Sequence, residues 1–169
     1  MKLEYDYDEQ VIYVKRENGS KEILEDEFPS EPVISPDKTR AAYISPLEWE
    51  TLGSLYMYDL LSEEKSTLVV PNVEQHIPKV VQWLDNHKLI VIIGYAYGTV
   101  AIGGNAFIYN LGNQELIQLT HYSMHTQFVE IKIDNNNEKV FLEGIKYIDE
   151  QMAEFKQISE ELSLTDYLD

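Results

Sequence analysis

A chain of 169 residues is the length of one domain, two at most. Thirty Asp and Glu against 13 Lys and Arg leave a formal net charge of −17, which speaks against nucleic acid as a partner, because phosphate contact needs basic groups to displace counterions. No apolar run reaches the roughly 18 residues of a spanning helix, so no membrane insertion is expected, and the absence of cysteine removes disulfides, thiolate metal sites and a cysteine nucleophile.

The first residues, Met1-Lys2-Leu3-Glu4-Tyr5-Asp6-Tyr7-Asp8, lack a basic stretch followed by an apolar one and do not form a signal peptide. The chain is expected to be cytoplasmic if Met1 is the native start, and extracytoplasmic if it is a trimmed piece of a longer protein.

A short N-terminal unit spans 1–29. Its strands are expected at Val11–Val14 and Lys21–Leu24, joined through Asn18-Gly19. Asn-Gly readily takes the positive φ angles of a tight hairpin turn.

Three repeats follow, at about 30–75, 76–125 and 126–169. Val33-Ile34-Ser35-Pro36-Asp37 precedes an apolar strand at Arg40–Ser45. Val81-Gln82-Trp83-Leu84-Asp85 precedes another at Lys88–Ile93, and Ile131-Lys132-Ile133-Asp134 a third at Lys139–Leu142. The aspartates are 48 and 49 residues apart. A second element repeats in phase: Leu55-Tyr56-Met57-Tyr58-Asp59-Leu60 matches Ala106-Phe107-Ile108-Tyr109-Asn110-Leu111 at an offset of 51. Short strands at Lys65–Val69 and Glu115–Thr120 come next. The pattern predicts an all-β protein of antiparallel, four-stranded repeats of about 48 residues in a single domain. Asp37, Asp59, Asp85, Asn110 and Asp134 are each placed to open a turn by accepting backbone N–H bonds.

At the C-terminus, Met152, Phe155, Ile158 and Leu162 recur at helical spacing over 150–162. The repeat instead asks for two strands there, at Glu154–Ile158 and Glu161–Thr165, and two strands are the expectation.

The run Ile34-Ser35-Pro36-Asp37, Ala42-Tyr43-Ile44 and Leu55-Tyr56-Met57-Tyr58-Asp59-Leu60 resembles the repeat of TolB-like and WD-like β-propellers. The stretch from Trp83 to Gly104 also resembles a bacterial domain family of unknown function built on such repeats. The resemblance implies a propeller-like fold and leaves function open, since propellers serve as enzymes, receptors and scaffolds. Four blades of about 48 residues need about 192, so the ring is small, incomplete, or one part of a larger one. The oligomeric state is left open.

The stretch from Gly94 to Asn105 is the leading site candidate. If the strand alternation continues, Tyr95 and Tyr97 share one face, and Gly94, Ala96 and Gly98 the other. Small residues admit a ligand or another backbone, so a binding shelf and tight inter-blade packing are the two readings. Gly103 and Gly104 would form a lip. Trp49, between Glu48 and Glu50 in a loop, could anchor a partner; Trp83 belongs in the core.

His121 and His125 lie in a loop with no third ligand, and Asp134, Asn136 and Glu138 only begin a calcium-loop pattern, so no metal is expected. The glycines fit neither a P-loop nor a dinucleotide fingerprint, and no cofactor is expected. No serine sits in a nucleophile elbow, so no catalytic residue is assigned. The sequence thus reads as a binding module for a protein partner, with a basic surface favoured by the acidity. The alternatives are a hydrolase using loop carboxylates, or a structural segment of a larger propeller or oligomer.

Overall fold

The computed structural model describes residues 1–168. Its strands form four antiparallel sheets, the blades. Blade 1 holds β1 (Lys2–Asp6), β2 (Val11–Lys15) and β3 (Lys21–Glu25). Blade 2 holds β4 (Val33–Ile34), β5 (Arg40–Ser45), β6 (Ser54–Asp59) and β7 (Lys65–Val69). Blade 3 holds β8 (His76–Trp83), β9 (Lys88–Tyr95), β10 (Asn105–Asn110) and β11 (Glu115–Gln118). Blade 4 holds β12 (Thr126–Ile133), β13 (Lys139–Tyr147) and β14 (Phe155–Ser163). Helix among the described residues is confined to a 3-10 turn at Thr165–Tyr167. The fold is all-β and propeller-like, and the blades form no closed ring.

Two expectations need correction. The N-terminal unit has three strands rather than two, because β1 pairs along its whole length with β2, from Lys2↔Lys15 to Asp6↔Val11. Leu3 and Tyr5 turn inward and Glu4 between them turns out to Lys15 and Lys21, the alternation of a half-buried strand. The C-terminus has one long strand rather than two short ones or a helix. Ser159-Glu160 brings no Gly, Pro, Asn or Asp to break the chain, and β14 stays in register with β13 from Tyr147↔Phe155 to Lys139↔Ser163. Blade 4 therefore lacks a fourth strand among the described residues.

The repeated Asp and Asn residues build the turns. Asp59 Oδ1 accepts N–H bonds from Leu61 and Ser62 at 2.8 and 2.9 Å. Asp85 Oδ1 does the same for His87 and Lys88 at 2.7 and 2.8 Å. Asp37, Asn110 and Asp134 accept equivalent bonds from Thr39, Gly112 and Glu138. Asp134 Oδ1 also takes the Lys139 amide at 3.1 Å, so this carboxylate is spent on its own hairpin.

Three apolar clusters join the blades in series. Ile12 and Val14 pack on Tyr43 and Tyr58 between blades 1 and 2. Ala42, Ile44 and Leu55 meet Val81, Trp83, Leu89 and Val91 between blades 2 and 3. Ile90, Ile92 and Ile108 meet Phe128, Ile131, Val140 and Leu142 between blades 3 and 4. Strand alternation sends Leu89, Val91 and Ile93 one way and Ile90 and Ile92 the other, so β9 is buried on both faces. The outer faces of the arc are different. Glu4 pairs with Lys15 and Lys21 on blade 1. On blade 4, Lys132 sits between Glu130 and Glu143, and Lys139 meets Glu161.

Candidate functional site

The loop joining β9 to β10, residues 96–104, is tied to three blades. Within blade 3, the Ala96 N–H donates to the Gln75 carbonyl at 3.0 Å, and Lys79 Nζ donates to the Ala101 carbonyl at 2.6 Å. From blade 4, Gln127 Nε2 and the Tyr147 hydroxyl both donate to the Val100 carbonyl, at 2.8 and 2.9 Å. Gln127 Oε1 accepts the Gly103 N–H at 2.8 Å, and Gly104 exchanges backbone bonds with Phe128. From blade 2, the Glu50 carboxylate accepts the Gly98 N–H at 3.0 Å.

That last bond brings two separate candidates together. Glu50 adjoins Trp49 in loop 46–53, which is closed by Thr51 Oγ1 donating to the Glu48 carbonyl at 2.8 Å. Trp49 is 70% exposed. Tyr95 and Tyr97 are half-buried and meet edge to face at 5.8 Å between ring centres, and His76 meets Tyr95 in the same manner at 6.0 Å. The Trp49 loop and the Tyr97–Gly98 turn are thus neighbours at one end of the blades.

The glycines divide by role. A side chain on Gly94 would strike the Gly103 carbonyl, one on Gly104 the Ile93 carbonyl, and one on Gly103 the Phe128 carbonyl. Neighbouring backbone fills the space beside all three, Gly94 on the expected small face and Gly103 and Gly104 at the expected lip. Gly98 differs: it is exposed, at φ +90, with open space where a side chain would stand. The strand ends at Tyr95, so the alternation expected to carry Tyr97 and Gly98 onward stops there.

Beside the loop lies a cavity of about 210 Å³, lined by His76, Tyr95, Asn105, Tyr122 and Gln127 and by the backbone of Gly103 and Gly104. Asn105 Oδ1 accepts the Tyr122 N–H and the Thr120 hydroxyl, both at 2.9 Å, and the Tyr122 hydroxyl donates to Glu160 at 2.8 Å. Burial pushes the Lys79 ammonium down to about 8, since a charged amine is poorly solvated there. Sequence reasoning missed Glu50, Lys79, Gln127 and Tyr147. A lysine between Pro78 and Val80-Val81 is a signal for the second of these; the others are ordinary polar residues until their elements meet in space. His121 and His125 lie in loop 119–125, the first exposed and the second partly so.

A family model for a domain of unknown function, DUF4652, matches residues 4–164. The chain belongs to this family. A search of curated proteins found no match. Among solved structures, a protein described as a conserved lipoprotein from Clostridium novyi NT is similar at 22% identity and a TM-score of 0.72, with 80% of this chain and 86% of that chain covered. TolB from Acinetobacter baumannii is similar at 14% identity and a TM-score of 0.58, with 95% of this chain and 39% of that chain covered. The β-propeller domain of the Trilobed protease from Pyrococcus furiosus is similar at 13% identity and a TM-score of 0.56, with 94% and 48% covered. This DUF4652 chain spans less than half the length of those last two chains. At such identities the likeness shows a propeller-like fold and no activity.

Proposed function

We propose that this DUF4652 chain is a single β-repeat domain acting as a non-enzymatic binding module for a protein partner. Trp49, Tyr95 and Tyr97 supply aromatic contact area, the exposed turn at Gly98 lies beside it, and Gly103 and Gly104 line the neighbouring cavity. The observation that carries this reading is the Glu50–Gly98 hydrogen bond, 3.0 Å across two blades. It joins the loop of an exposed tryptophan to the turn that follows a tyrosine pair, on a loop held by three blades. Rigid aromatic anchors that need little ordering are the groups that dominate protein interfaces.

The test is site-specific photocrosslinking in cells of the source organism, with the full chain carrying a photoreactive residue at position 49, 97 or 61. Positions 49 and 97 are expected to capture one and the same protein, and position 61, at the opposite end of the blades, none. Equal capture from all three positions, or no capture from 49 and 97, overturns the reading.

A further inference from the structure

The antiparallel meander sorts every connection to one end of the blades or the other. Turns 16–20, 35–39, 60–64, 84–87, 111–114 and 134–138 fall at one end. Loops 7–10, 26–32, 46–53, 70–75, 96–104, 119–125 and 148–154 fall at the other. Hydrogen bonds between blades join like with like. The Asp37 N–H meets Asn86 Oδ1 at the first end, while Glu50 meets Gly98 and Tyr147 meets Val100 at the second.

The two ends differ in chemistry. The seven loops of the second end contain 11 Asp and Glu and no Lys or Arg. They also hold ten of the 17 large apolar side chains exposed among the described residues, including Tyr7, Phe28, Trp49, Val70, Val73 and Ile148. The turns at the first end show one, Leu61. Exposed apolar groups gathered in one region mark an interaction surface, whereas scattered ones need no explanation. The carboxylates then say what can approach it.

We propose that this long-loop end docks an amphipathic segment of a partner protein in which apolar side chains are interspersed with Lys or Arg. The proposal rests on the binding-module reading above and names the chemistry of its partner. A second copy of this chain would bring another field of carboxylates against the first, and an anionic bilayer or a nucleic acid would bring phosphates. Each is disfavoured by like charge. A cationic segment is drawn in by the same field, and its apolar side chains cover the aromatic and aliphatic rim.

Three synthetic peptides of equal length test this on the full chain by calorimetry, with tryptophan emission as a second readout, Trp49 being exposed and Trp83 buried. The first mixes Leu and Phe with Lys, the second replaces each Lys by Glu, and the third keeps Lys and replaces the apolar residues by Ser. The first is expected to bind at least about tenfold tighter than the others at low salt, weakening as salt is added. The triple variant Glu48→Lys, Glu74→Lys, Glu150→Lys is expected to lose at least about tenfold of that affinity, and Leu61→Ser none, with circular dichroism verifying the fold of each. Equal binding of the Lys and Glu peptides overturns the proposal. So do equal binding of the Ser peptide, no peptide binding at all, an effect of Leu61→Ser equal to that of the triple variant, or preference for phosphatidylcholine vesicles over the first peptide. If the peptides fail while positions 49 and 97 still crosslink one protein, this proposal falls and the binding-module reading stands.

Discussion

The indole N–H of Trp83 donates to the Val33 carbonyl across 2.8 Å, tying the first strand of blade 3 to the first strand of blade 2. The ring is 8% exposed and lies in the apolar cluster between those blades. Trp83→Ala therefore removes both a packed aromatic and a cross-blade hydrogen bond. We expect it to cost about 3–5 kcal/mol, while Trp49→Ala, at an exposed loop position, stays within about 0.5 kcal/mol. Urea denaturation followed by far-UV circular dichroism separates the two; equal losses would contradict the packing described here.

Gly94 and Gly98 are four residues apart and should respond to substitution for different reasons. Gly94→Ala drives a methyl group onto the Gly103 backbone, and the expected loss is about 3 kcal/mol or more, because backbone on both sides must shift. Gly98→Val meets open space but must hold a positive φ, and the expected loss is about 1–2 kcal/mol. A fall in Tm for Gly98→Val then reports backbone strain and not inter-blade packing. Thermal unfolding of both variants, with Gly94→Ala melting lower, checks the distinction.

The Ser35 hydroxyl donates to Asp37 at 2.6 Å and the Thr39 amide and hydroxyl add to it, holding this carboxyl at about 2 against an ordinary 3.8. A depressed carboxyl stabilises the fold above its unfolded value, and that contribution is lost as pH falls through the folded value. The wild type should therefore lose stability relative to Asp37→Asn between 3.8 and about 2. Chemical denaturation of the pair across that window tests it; a difference that stays constant refutes the turn as the cause.

Lys79 works in the opposite direction. Burial lowers its ammonium from 10.5 to about 8, so the folded state prefers the neutral amine. The unfolded chain holds the extra proton between those values, and stability from this group rises with pH across that range. The stability of the wild type relative to Lys79→Met should rise between pH 8 and 10.5. A flat difference over the same interval would place the amine in better contact with solvent than its bond to the Ala101 carbonyl implies.

The repeat and its turns were legible because they are local. An Asp that caps a hairpin acts within two to five residues of itself, and Asp59, Asp85 and Asp134 show that spacing directly. The burial of β9 was legible too, since a run of aliphatic residues on both faces requires a neighbour on each side. The C-terminal strand is not legible as one piece, because the repeat asks for two short strands there and only the unbroken pairing with β13 shows one. The loop 96–104 was recognised as unusual from its glycines, but its partners were hidden. Glu50 is 48 residues from Gly98, and Tyr147 is 47 from Val100. No local pattern announces a bond across such a separation.

The serial arrangement of the apolar clusters has a consequence for how the chain comes apart. Blade 3 leans on a packed neighbour at each side, whereas blades 1 and 4 each have one. Stability in such a stack is a sum of units and nearest-neighbour couplings, as in a one-dimensional Ising chain. Losing an outer blade breaks one coupling; opening blade 3 breaks two. Amide exchange should accordingly be fastest in β1 and β14 and slowest in β9, with the ladder melting from its flanks toward the strand whose two faces are both claimed.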